Sequence, residues 1–313
     1  MSYDIFNENF LEYLKELLGN ELEIFLENSM KPLKESIRVN TLKISCDSLK
    51  NILIEKGWKI ENIPWVDYGF WINYSPEDIG QTLEHSLGYY YIQGAMSMLP
   101  VEILDPKPGE LILDLCAAPG SKTTQISQKM QNKGIIVAND INIKRIKALS
   151  SNIQKCFAIN VIISMRDGRF FFKFFKNIFD KVLVDAPCSS TGIIRKSWKV
   201  AKKWNIKTIE RLSKYQTQLL LSGFDCLKEG GILVYSTCSI CPEENERCIN
   251  NLLKLRNNAY LEEIKIKNVK YEKGITKWKN EEYDKDISKC IRIYPHYNDS
   301  EGFFIAKIVK KND

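Results

Sequence analysis

The chain has 313 residues, of which 44% are hydrophobic and 27% are charged, values typical of a soluble globular protein with a sizeable core. Its net charge of +6 permits an anionic partner such as a nucleic acid but does not establish one. No segment approaches the ~20 apolar residues of a membrane span, and the acidic, amphipathic N-terminus lacks the features of a signal peptide. Nine cysteines without a regular framework indicate free thiols in a reducing compartment, so we expect a cytoplasmic protein.

Residues 1–95 are predicted to form a small α+β domain. Helical periodicity covers residues 3–30 and is interrupted by a Gly-Asn pair. Residues 36–45 alternate like a strand, and residues 51–57 (NILIEKG) are typical of a short helix.

Beyond residue 95, apolar, β-branched segments alternate with helical ones. The apolar segments are residues 111–116, 134–140, 160–166, 181–187 and 230–238. Their nearly continuous apolar character predicts strands that are buried on both faces of a parallel sheet. The alternation predicts a doubly wound, mostly parallel α/β domain over residues 96–313, in which residues 303–310 form a last edge strand.

Each predicted parallel strand ends at a polar or reactive residue, and open parallel sheets bind ligands beyond these carboxyl ends. In chain order the ends carry CAAPGSKT (116–123), then Asp140, then Arg166, Asp167 and Gly168, then Asp185 and Cys188, and finally Thr237, Cys238 and Ser239. The sequence therefore predicts a ligand site along this edge of the sheet.

The CAAPGSKT segment suits a cofactor that needs no pyrophosphate loop. Gly120 and its small neighbours allow close approach of the backbone, and the following helix offers unpaired N–H groups. The spacing does not match a Walker A loop, and the three spaced glycines of a dinucleotide site are missing. Asp140 can accept hydrogen bonds from ribose hydroxyls and Asp167 from an adenine amino group, which together indicate S-adenosylmethionine. Either aspartate alone is more simply explained as a loop cap.

Cys188 and Cys238 follow strands that we expect to be neighbours, so both thiols should face one cleft with Asp185 at its rim. Methylation of cytosine at carbon 5 needs such an arrangement, because a thiolate must first add to carbon 6. A group at the N3 edge and a base are also needed. Glu243 and Glu244, in the acidic helix predicted to follow, would oppose a nearby thiolate. The residues alone do not rank the two thiols.

Other interpretations of the cysteines are weaker. Cys238 and Cys241 have redox spacing, but they follow the fifth strand and Pro242 comes after the pair. Zinc would need two more ligands, and His85 and His296 lack motif spacing. The remaining thiols are expected to be buried as small apolar groups: Cys116, Cys156, Cys226, Cys241, Cys248 and Cys290.

Four segments resemble the Sun-type (Nol/Nop/Sun) family of S-adenosylmethionine-dependent RNA cytosine-5 methyltransferases: DLCAAPGSKTTQ, VDAPCSSTG, VYSTCSICPEENE and RIYPHYNDSEGFFIAKI. The resemblance covers about residues 36–313 and implies a Rossmann-like methyltransferase sheet. It implies that Cys238 is the nucleophile, that Cys188 assists product release, and that Asp185 and Lys122 belong to the catalytic group. The implied cofactor site consists of Cys116, Ala117, Ala118, Pro119, Gly120, Ser121, Lys122, Asp140, Arg145, Asp167, Gly168 and Asp185.

Two positions depart from the family pattern. Ser121 replaces a usual glycine, which we expect to be tolerated unless the position needs a positive φ. Gly94 stands where the family commonly has an acidic residue, so the contact at that position stays open.

Residues 193–211 are predicted to contact RNA, because they follow Cys188 and carry basic side chains that can neutralise phosphates. We predict RNA contacts for Arg195, Lys196, Lys199, Lys202 and Lys203. Trp198 and Trp204 can either stack on bases or anchor the segment in the core, and the sequence favours neither role. No appended RNA-binding domain is recognised, so target choice is expected to rest on residues 1–95 and on surface loops.

These observations predict an RNA cytosine-5 methyltransferase that acts through a covalent Cys238–cytosine intermediate, with tRNA favoured over rRNA. A target cytosine within a helix would have to be flipped out, which favours loops, junctions or ends. The same chemistry on rRNA stays open, as does a catalytically silent RNA-binding scaffold, although the retained thiols and carboxylates argue against the latter. We expect a monomer that binds S-adenosylmethionine, with no metal and no membrane contact.

Overall fold

The computed structural model describes residues 5–312 of the chain, which begin with two amphipathic helices. These are α1 (Glu8–Leu18) and α2 (Leu22–Ser29), and they pack against the catalytic half through Phe10, Leu14 and Phe25. A 3₁₀ turn separates them at Gly19, where φ is +52°. The predicted helical segment is therefore confirmed over the described residues; residues 3 and 4 lie outside them.

A small mixed layer follows the two helices. Its elements are β1 (Glu35–Val39), α3 (Cys46–Glu55), β2 (Lys59–Asn62), β3 (Gly69–Tyr74), α4 (Leu83–Ser86) and β4 (Tyr90–Ile92). The strands form an antiparallel sheet in the order β2-β3-β1-β4. The strand predicted over residues 36–45 is too long, because Asn40 turns inward and donates to the carbonyl oxygens of Gly88 and Cys156, both at 2.9 Å.

The second half of the chain is built from alternating helices and strands. They are α5 (Leu99–Leu104), β5 (Leu111–Asp114), α6 (Ser121–Lys129), β6 (Ile135–Asn139), α7 (Ile143–Cys156), β7 (Val161–Ser164), β8 (Phe179–Asp185), α8 (Lys199–Lys202), α9 (Ile206–Cys226), β9 (Leu227–Thr237) and α10 (Glu246–Leu255). Strands β5 to β9 run parallel, as the sequence predicts. Short antiparallel strands complete the chain: β10 (Ala259–Glu262), β11 (Glu272–Lys273), β12 (Lys277–Trp278), β13 (Glu281–Glu282), β14 (Ile291–Ile293) and β15 (Phe303–Lys310).

The main sheet has nine strands, arranged in the order β11-β14-β15-β9-β8-β5-β6-β7, with β10 also paired to β15. The prediction of an edge strand at residues 303–310 is wrong. β15 pairs along one side with β9 and along the other with β10 and β14, so its backbone groups are bonded on both sides. All but two of its side chains are buried, which explains the apolar run FFIAKIV.

The true edge on the other side of the sheet is β7, and here too the prediction is corrected. Its sequence suggested a strand buried on both faces, yet Ile162 is 56% exposed and Ile163 is 37% exposed. Only β6 pairs with it among the described strands.

The strand order places a topological switch point between β5 and β8. The chain leaves β5 toward β6 and β7, then returns to β8 on the opposite side of β5. In doubly wound sheets such a point opens a crevice at the carboxyl ends of the strands, which is where the predicted site residues lie. The fully buried Arg38 of β1 fastens the small layer to this edge, donating to Ser121 O at 2.5 Å and Thr124 Oγ1 at 2.7 Å.

Within residues 5–312, no helix combines the length and apolar character required to cross a bilayer. The same part of the chain contains no cluster of three or more histidine, cysteine, aspartate or glutamate side chains arranged to hold a metal. The domain boundary at residue 95 and the cytoplasmic location stay predictions.

Candidate active site

The turn after β5 shapes one wall of the crevice. Gly120 closes the turn with φ of +106° and leads directly into α6. A Cβ on Gly120 would lie 3.0 Å from the Leu149 side chain, so both the backbone and the space favour glycine here. Ser121 belongs to the first turn of α6 and has no positive φ, so serine causes no backbone strain at that position.

Asp140 lies at the end of β6 and is 3% exposed. Its carboxylate accepts hydrogen bonds from Ala118 N at 3.3 Å and Asn142 N at 2.9 Å. Arg145 of α7 lies 3.3 Å from the same carboxylate and also donates to the carbonyl oxygen of Ala118. Asp140 therefore fixes the CAAPG turn while facing the crevice.

Asp167 follows β7 and is held by a residue that the sequence analysis missed. Arg169 grips its carboxylate with a contact of 2.6 Å, and the same carboxylate caps the short 3₁₀ helix that begins at Gly168. The hydrogen bonds from Arg169 lower the pKa of Asp167, so the group is a carboxylate at neutral pH. The available signal in the sequence was the segment RDGR (166–169), in which Arg169 stands two residues after Asp167.

The crevice joins the ends of all these strands. Its lining includes Cys116, Asp140, Arg145, Gly168 and Pro187, with Tyr215 and Leu219 of α9 as a further wall. This donor set fits S-adenosylmethionine, because a carboxylate at the end of the second strand suits ribose hydroxyls and the apolar walls suit an adenine ring. Of the predicted cofactor residues, Cys116, Asp140, Arg145 and Gly168 line this crevice, and Ala117, Ala118 and Pro119 form the adjoining turn.

Asp114 was also missed in the sequence analysis, because this residue lies within the apolar segment 111–116 that was predicted to be a strand. Asp114 is fully buried at the end of β5, and Thr123 donates to its Oδ2 at 2.7 Å. Its Oδ1 has no hydrogen-bond partner among residues 5–312. Burial raises the pKa of Asp114 to about 7.

Lys122 and Asp185 form an ion pair of 2.7 Å between α6 and the end of β8. The lysine is buried, and its Nζ also donates to Ser97 Oγ at 3.0 Å. Ser236 of β9 donates to the other oxygen of Asp185 at 2.7 Å. These contacts hold a charged pair at the point where the cofactor crevice meets the thiols.

The two thiols are neighbours, as the sequence predicts. Cys188 Sγ and Cys238 Sγ lie 3.1 Å apart at the ends of the adjacent strands β8 and β9. Both side chains are partly exposed. The hydrogen bond between the thiols lowers the pKa of Cys238 and raises the pKa of Cys188, and Ser190 Oγ, 3.7 Å from Cys238, favours the same thiolate. These pKa directions favour Cys238 as the thiolate of the pair, and its role as nucleophile stays a prediction.

Cys241 is fully buried and lies 3.5 Å from Thr191 Oγ1, so it does not share the cleft with Cys238. Cys156, Cys226, Cys248 and Cys290 are buried as predicted. Cys116 is only partly buried because it lines the crevice.

The segment PEENE was predicted to begin an acidic helix, but residues 242–245 form turns instead. Glu243, Glu244 and Glu246 are all buried, and α10 begins only at Glu246. Tyr13 and Trp278 donate to Glu243 at 2.5 and 2.8 Å. The signal that sequence reasoning lacked is the set of partners, which come from distant parts of the chain.

Gly94, which stands where the family commonly has an acidic residue, lies directly against the side chain of Glu301. A Cβ at this glycine would lie 1.5 Å from the Glu301 carboxylate, so Glu301 occupies the space that a side chain at position 94 would need. Glu301 is buried, accepts from Met96 N at 3.3 Å and pairs with Lys196 at 2.8 Å.

The basic segment at 193–211 is divided between the surface and the interior. Lys199, Lys202 and Lys203 are exposed, whereas Lys196 is partly engaged by Glu301. The Arg195 side chain is 4% exposed, pairs with Asp299 at 2.7 Å and donates to backbone oxygens of residues 31 and 32. Its contacts in this structure therefore fasten α2 to the catalytic half.

The two tryptophans have different roles. Trp204 stacks on Phe10 of α1 with ring centroids 5.1 Å apart, which supports the anchoring role. Trp198 is 46% exposed and remains available to a base.

The parallel sheet with its switch-point crevice and convergent carboxylates defines an S-adenosylmethionine-dependent methyltransferase of the Rossmann type. Family models agree with this class. The model described as 16S rRNA methyltransferase RsmB/F matches residues 101–309, and the model of the N-terminal domain of 16S rRNA methyltransferase RsmF matches residues 6–95. The chain belongs to the RsmB/F (Sun) family of RNA methyltransferases.

Similar proteins cover nearly the whole chain. The tRNA (cytosine(49)-C(5))-methyltransferase of Pyrococcus abyssi is 43% identical over 93% of both chains. The ribosomal RNA small subunit methyltransferase F of Vibrio vulnificus is 40% identical over 97% of this chain, which spans 64% of the length of that relative.

Solved structures give the same result. A methyltransferase homologue from Pyrococcus horikoshii superposes with a TM-score of 0.87 at 35% identity over the full length of both chains. NSun6 from Pyrococcus horikoshii, crystallised with SFG, superposes with a TM-score of 0.85 at 26% identity over the full length of both chains.

Proposed function

We propose that this enzyme methylates carbon 5 of a cytosine in a structured RNA through a covalent bond between Cys238 and the base. The observation that carries the proposal is the placement of two free thiols 3.1 Å apart beside the Lys122–Asp185 pair, where the cofactor crevice opens. Bound S-adenosylmethionine supplies an electrophilic methyl group to the ring carbon.

Cys238 is the nucleophile in this proposal, because its pKa is lowered by the hydrogen bond from Cys188. Its thiolate forms a bond to carbon 6 of cytosine, the double bond between carbons 5 and 6 is lost, and electron density moves to carbon 5. After carbon 5 is substituted, a base removes its proton, the sulfur–carbon bond breaks and the ring double bond forms again. Cys188, protonated and adjacent, assists this release.

Lys122 and Asp185 recognise the ring in this proposal. Asp185 can accept a hydrogen bond from the exocyclic amino group, and the Lys122 ammonium stabilises negative charge that develops at the N3 edge. The ion pair is buried on the lysine side, where electrostatic interactions are stronger than in water.

The RNA is proposed to be tRNA. Support comes from the Pyrococcus abyssi relative, which is named for cytosine 49 of tRNA and matches over 93% of both chains. Ribosomal RNA is the second candidate, supported by the Vibrio relative at 40% identity. The exposed Lys199, Lys202 and Lys203 beside the thiol cleft are proposed to contact the phosphates. A silent scaffold would not need the ordered thiol pair.

Substitution of each thiol tests the mechanism. Cys238→Ala is expected to lower methyl transfer more than about 10³-fold, because the covalent step is lost. Cys188→Ala is expected to accumulate a covalent RNA adduct, visible as a slow band in denaturing gels and absent in the double variant. Full turnover by Cys238→Ala would contradict the assignment.

The target nucleotide can be identified directly. Bisulfite sequencing of tRNA and rRNA incubated with the wild-type enzyme and with Cys238→Ala should show one protected cytosine in tRNA that depends on Cys238. Protection only in rRNA would favour the second candidate.

A further inference from the structure

Glu244 is a fully buried carboxylate that the proposed reaction does not use. It accepts hydrogen bonds from Ser189 N at 2.8 Å, from the Ser189 hydroxyl, and from Ser239 Oγ at 2.5 Å. Ser189 directly follows Cys188, and Ser239 directly follows Cys238. One side chain therefore joins the two loops that carry the thiols.

Other elements fix this carboxylate in place. Gln216 of α9 donates to Glu244 at 3.0 Å and to the carbonyl oxygen of Pro187 at 2.8 Å, one residue before Cys188. The Tyr235 hydroxyl donates to the backbone oxygen of Glu244 at 2.6 Å. The loops also bond to each other directly, from Gly192 N to the Cys238 carbonyl oxygen at 2.8 Å and between Ser189 Oγ and Ser239 Oγ at 3.2 Å. Glu244 is therefore one member of a rigid, fully bonded network that fixes the spacing of the loops.

We propose that Glu244 is a positioning residue that aligns the two thiols and keeps their shared proton on Cys188, so that Cys238 is the one that ionises. Two of its hydrogen bonds come from Ser189, which places its negative charge against the Cys188 loop. A buried charge disfavours a second charge of the same sign nearby. The proposal rests on the proposed role of Cys238 as the nucleophile.

The pKa directions agree with this geometry. The pKa of Cys188 is raised by its hydrogen bond to Cys238, by burial, and by the charges of Cys238 and Glu244. The pKa of Cys238 is lowered mainly by its hydrogen bond to Cys188. Burial and the charge of Asp185 oppose this lowering, whereas the hydrogen bond to Ser190 and the charge of Lys122 add to it.

Burial raises the pKa of Glu244 itself, and the hydrogen bonds from Ser189, Ser239 and Gln216 oppose this rise. The neighbouring thiols and the buried tyrosine do not ionise near neutral pH. Burial raises the pKa of Cys241 to about 12 and of Cys248 to about 11, and it raises the pKa of Tyr235 far above its ordinary value. Glu243 lies next in the chain, but its carboxylate is bonded to Tyr13 and Trp278. Glu244 is thus the carboxylate bonded to the Cys188 loop that acts on Cys188, whereas Asp185 and Lys122 act on Cys238.

The ratio of thiol reactivities tests the proposal without RNA or cofactor. The full chain is treated with limiting iodoacetamide between pH 6 and pH 9, and alkylation of Cys188 and Cys238 is quantified by peptide mass spectrometry. In the wild type, Cys238 is expected to react first. Its alkylation rate should increase with pH, and the increase should already occur at pH values below about 8.5, the ordinary pKa of a thiol. In Glu244→Gln, the ratio of Cys238 to Cys188 alkylation should fall by about tenfold or more, because the charge against Cys188 is gone.

Glu243→Gln is the matched control, since it removes an equally buried neighbouring carboxylate that does not touch the thiol loops. It should keep the wild-type ratio. An unchanged ratio in Glu244→Gln, or an equal fall in both variants, overturns the proposal. If Glu244→Gln does not fold, the wild-type profile still decides, because preferential alkylation of Cys188 contradicts the proposal. Turnover by Cys238→Ala together with the expected ratios would reject the nucleophile while leaving the role of Glu244 intact.

Discussion

The carboxylates of the cofactor crevice and those behind the thiols are held in opposite ways. Asp140 pairs with the partly exposed Arg145 of α7, and Asp167 pairs with the partly exposed Arg169 two residues later. Glu244 and its neighbours are enclosed and bonded to groups from several distant elements. A partly exposed ion pair contributes little to stability and can exchange its partner for a ligand, whereas a buried one cannot. We therefore propose that the first group serves binding and that the second sets geometry.

The largest effect on stability is expected from a substitution that breaks an ion pair among the buried carboxylates. Glu246 and Arg292 form an ion pair of 2.5 Å in which both side chains are nearly inaccessible. Glu246→Gln should lower the free energy of unfolding by about 3–5 kcal/mol, because the guanidinium loses its buried counterion. Urea denaturation measures this loss. Asp167→Asn, which breaks the partly exposed pair with Arg169, should cost less than about 1 kcal/mol, and equal losses would contradict the distinction.

The next effect concerns ligand affinity rather than stability. Asp140→Asn should weaken binding of S-adenosylmethionine about 10–100-fold, because hydrogen bonds to a charged acceptor contribute about 1.5–3 kcal/mol. Isothermal titration calorimetry measures the change. Asp105→Asn is the control, since Asp105 is exposed and pairs with Lys107 before β5, at the amino end of that strand. An unchanged affinity in Asp140→Asn would place the ribose elsewhere.

The smallest effect should come from the charges that face solvent beside the cleft. The triple variant of Lys199, Lys202 and Lys203 to alanine should bind RNA more weakly and reduce the slope of log affinity against log salt by roughly 2. Filter binding over a range of salt concentrations measures the slope. The matched control replaces Lys107, Lys133 and Lys228, which are exposed at the amino ends of the strands. Equal slopes in the two triple variants would show that residues 199–203 do not contact the phosphates.

The parts of the site that could be predicted from the sequence are residues that stand at or just after the ends of the predicted strands. The carboxyl ends of parallel strands share one edge of the sheet, so Asp140, Asp185, Cys188 and Cys238 could be brought together from their positions after apolar runs. The 3.1 Å contact between the thiols and the charges around them could not be predicted, because no spacing in the sequence reveals them.

The parts that were wrong depend on partners far away in the chain. The acidic PEENE segment becomes interior because Tyr13, 230 residues earlier, and Arg292, 46 residues later, supply its hydrogen bonds. The predicted RNA contact of Arg195 stays a prediction, but in this structure Asp299 and a backbone oxygen just after α2 hold its side chain. β15 looked like an edge strand because its pairings with β9 and β10 join segments that are far apart in the chain.

The interior position of β15 also has a consequence for synthesis. This strand leaves the ribosome after every other strand of the described chain, yet it separates β9 from β14. Until β15 pairs with β9, the edge of β9 and the Cys238 loop that follows it lack a neighbouring strand, and the sheet of the nascent catalytic half is incomplete. Ribosome-stalled chains that end before residue 303 should accordingly be far more sensitive to protease than chains in which residue 310 has emerged.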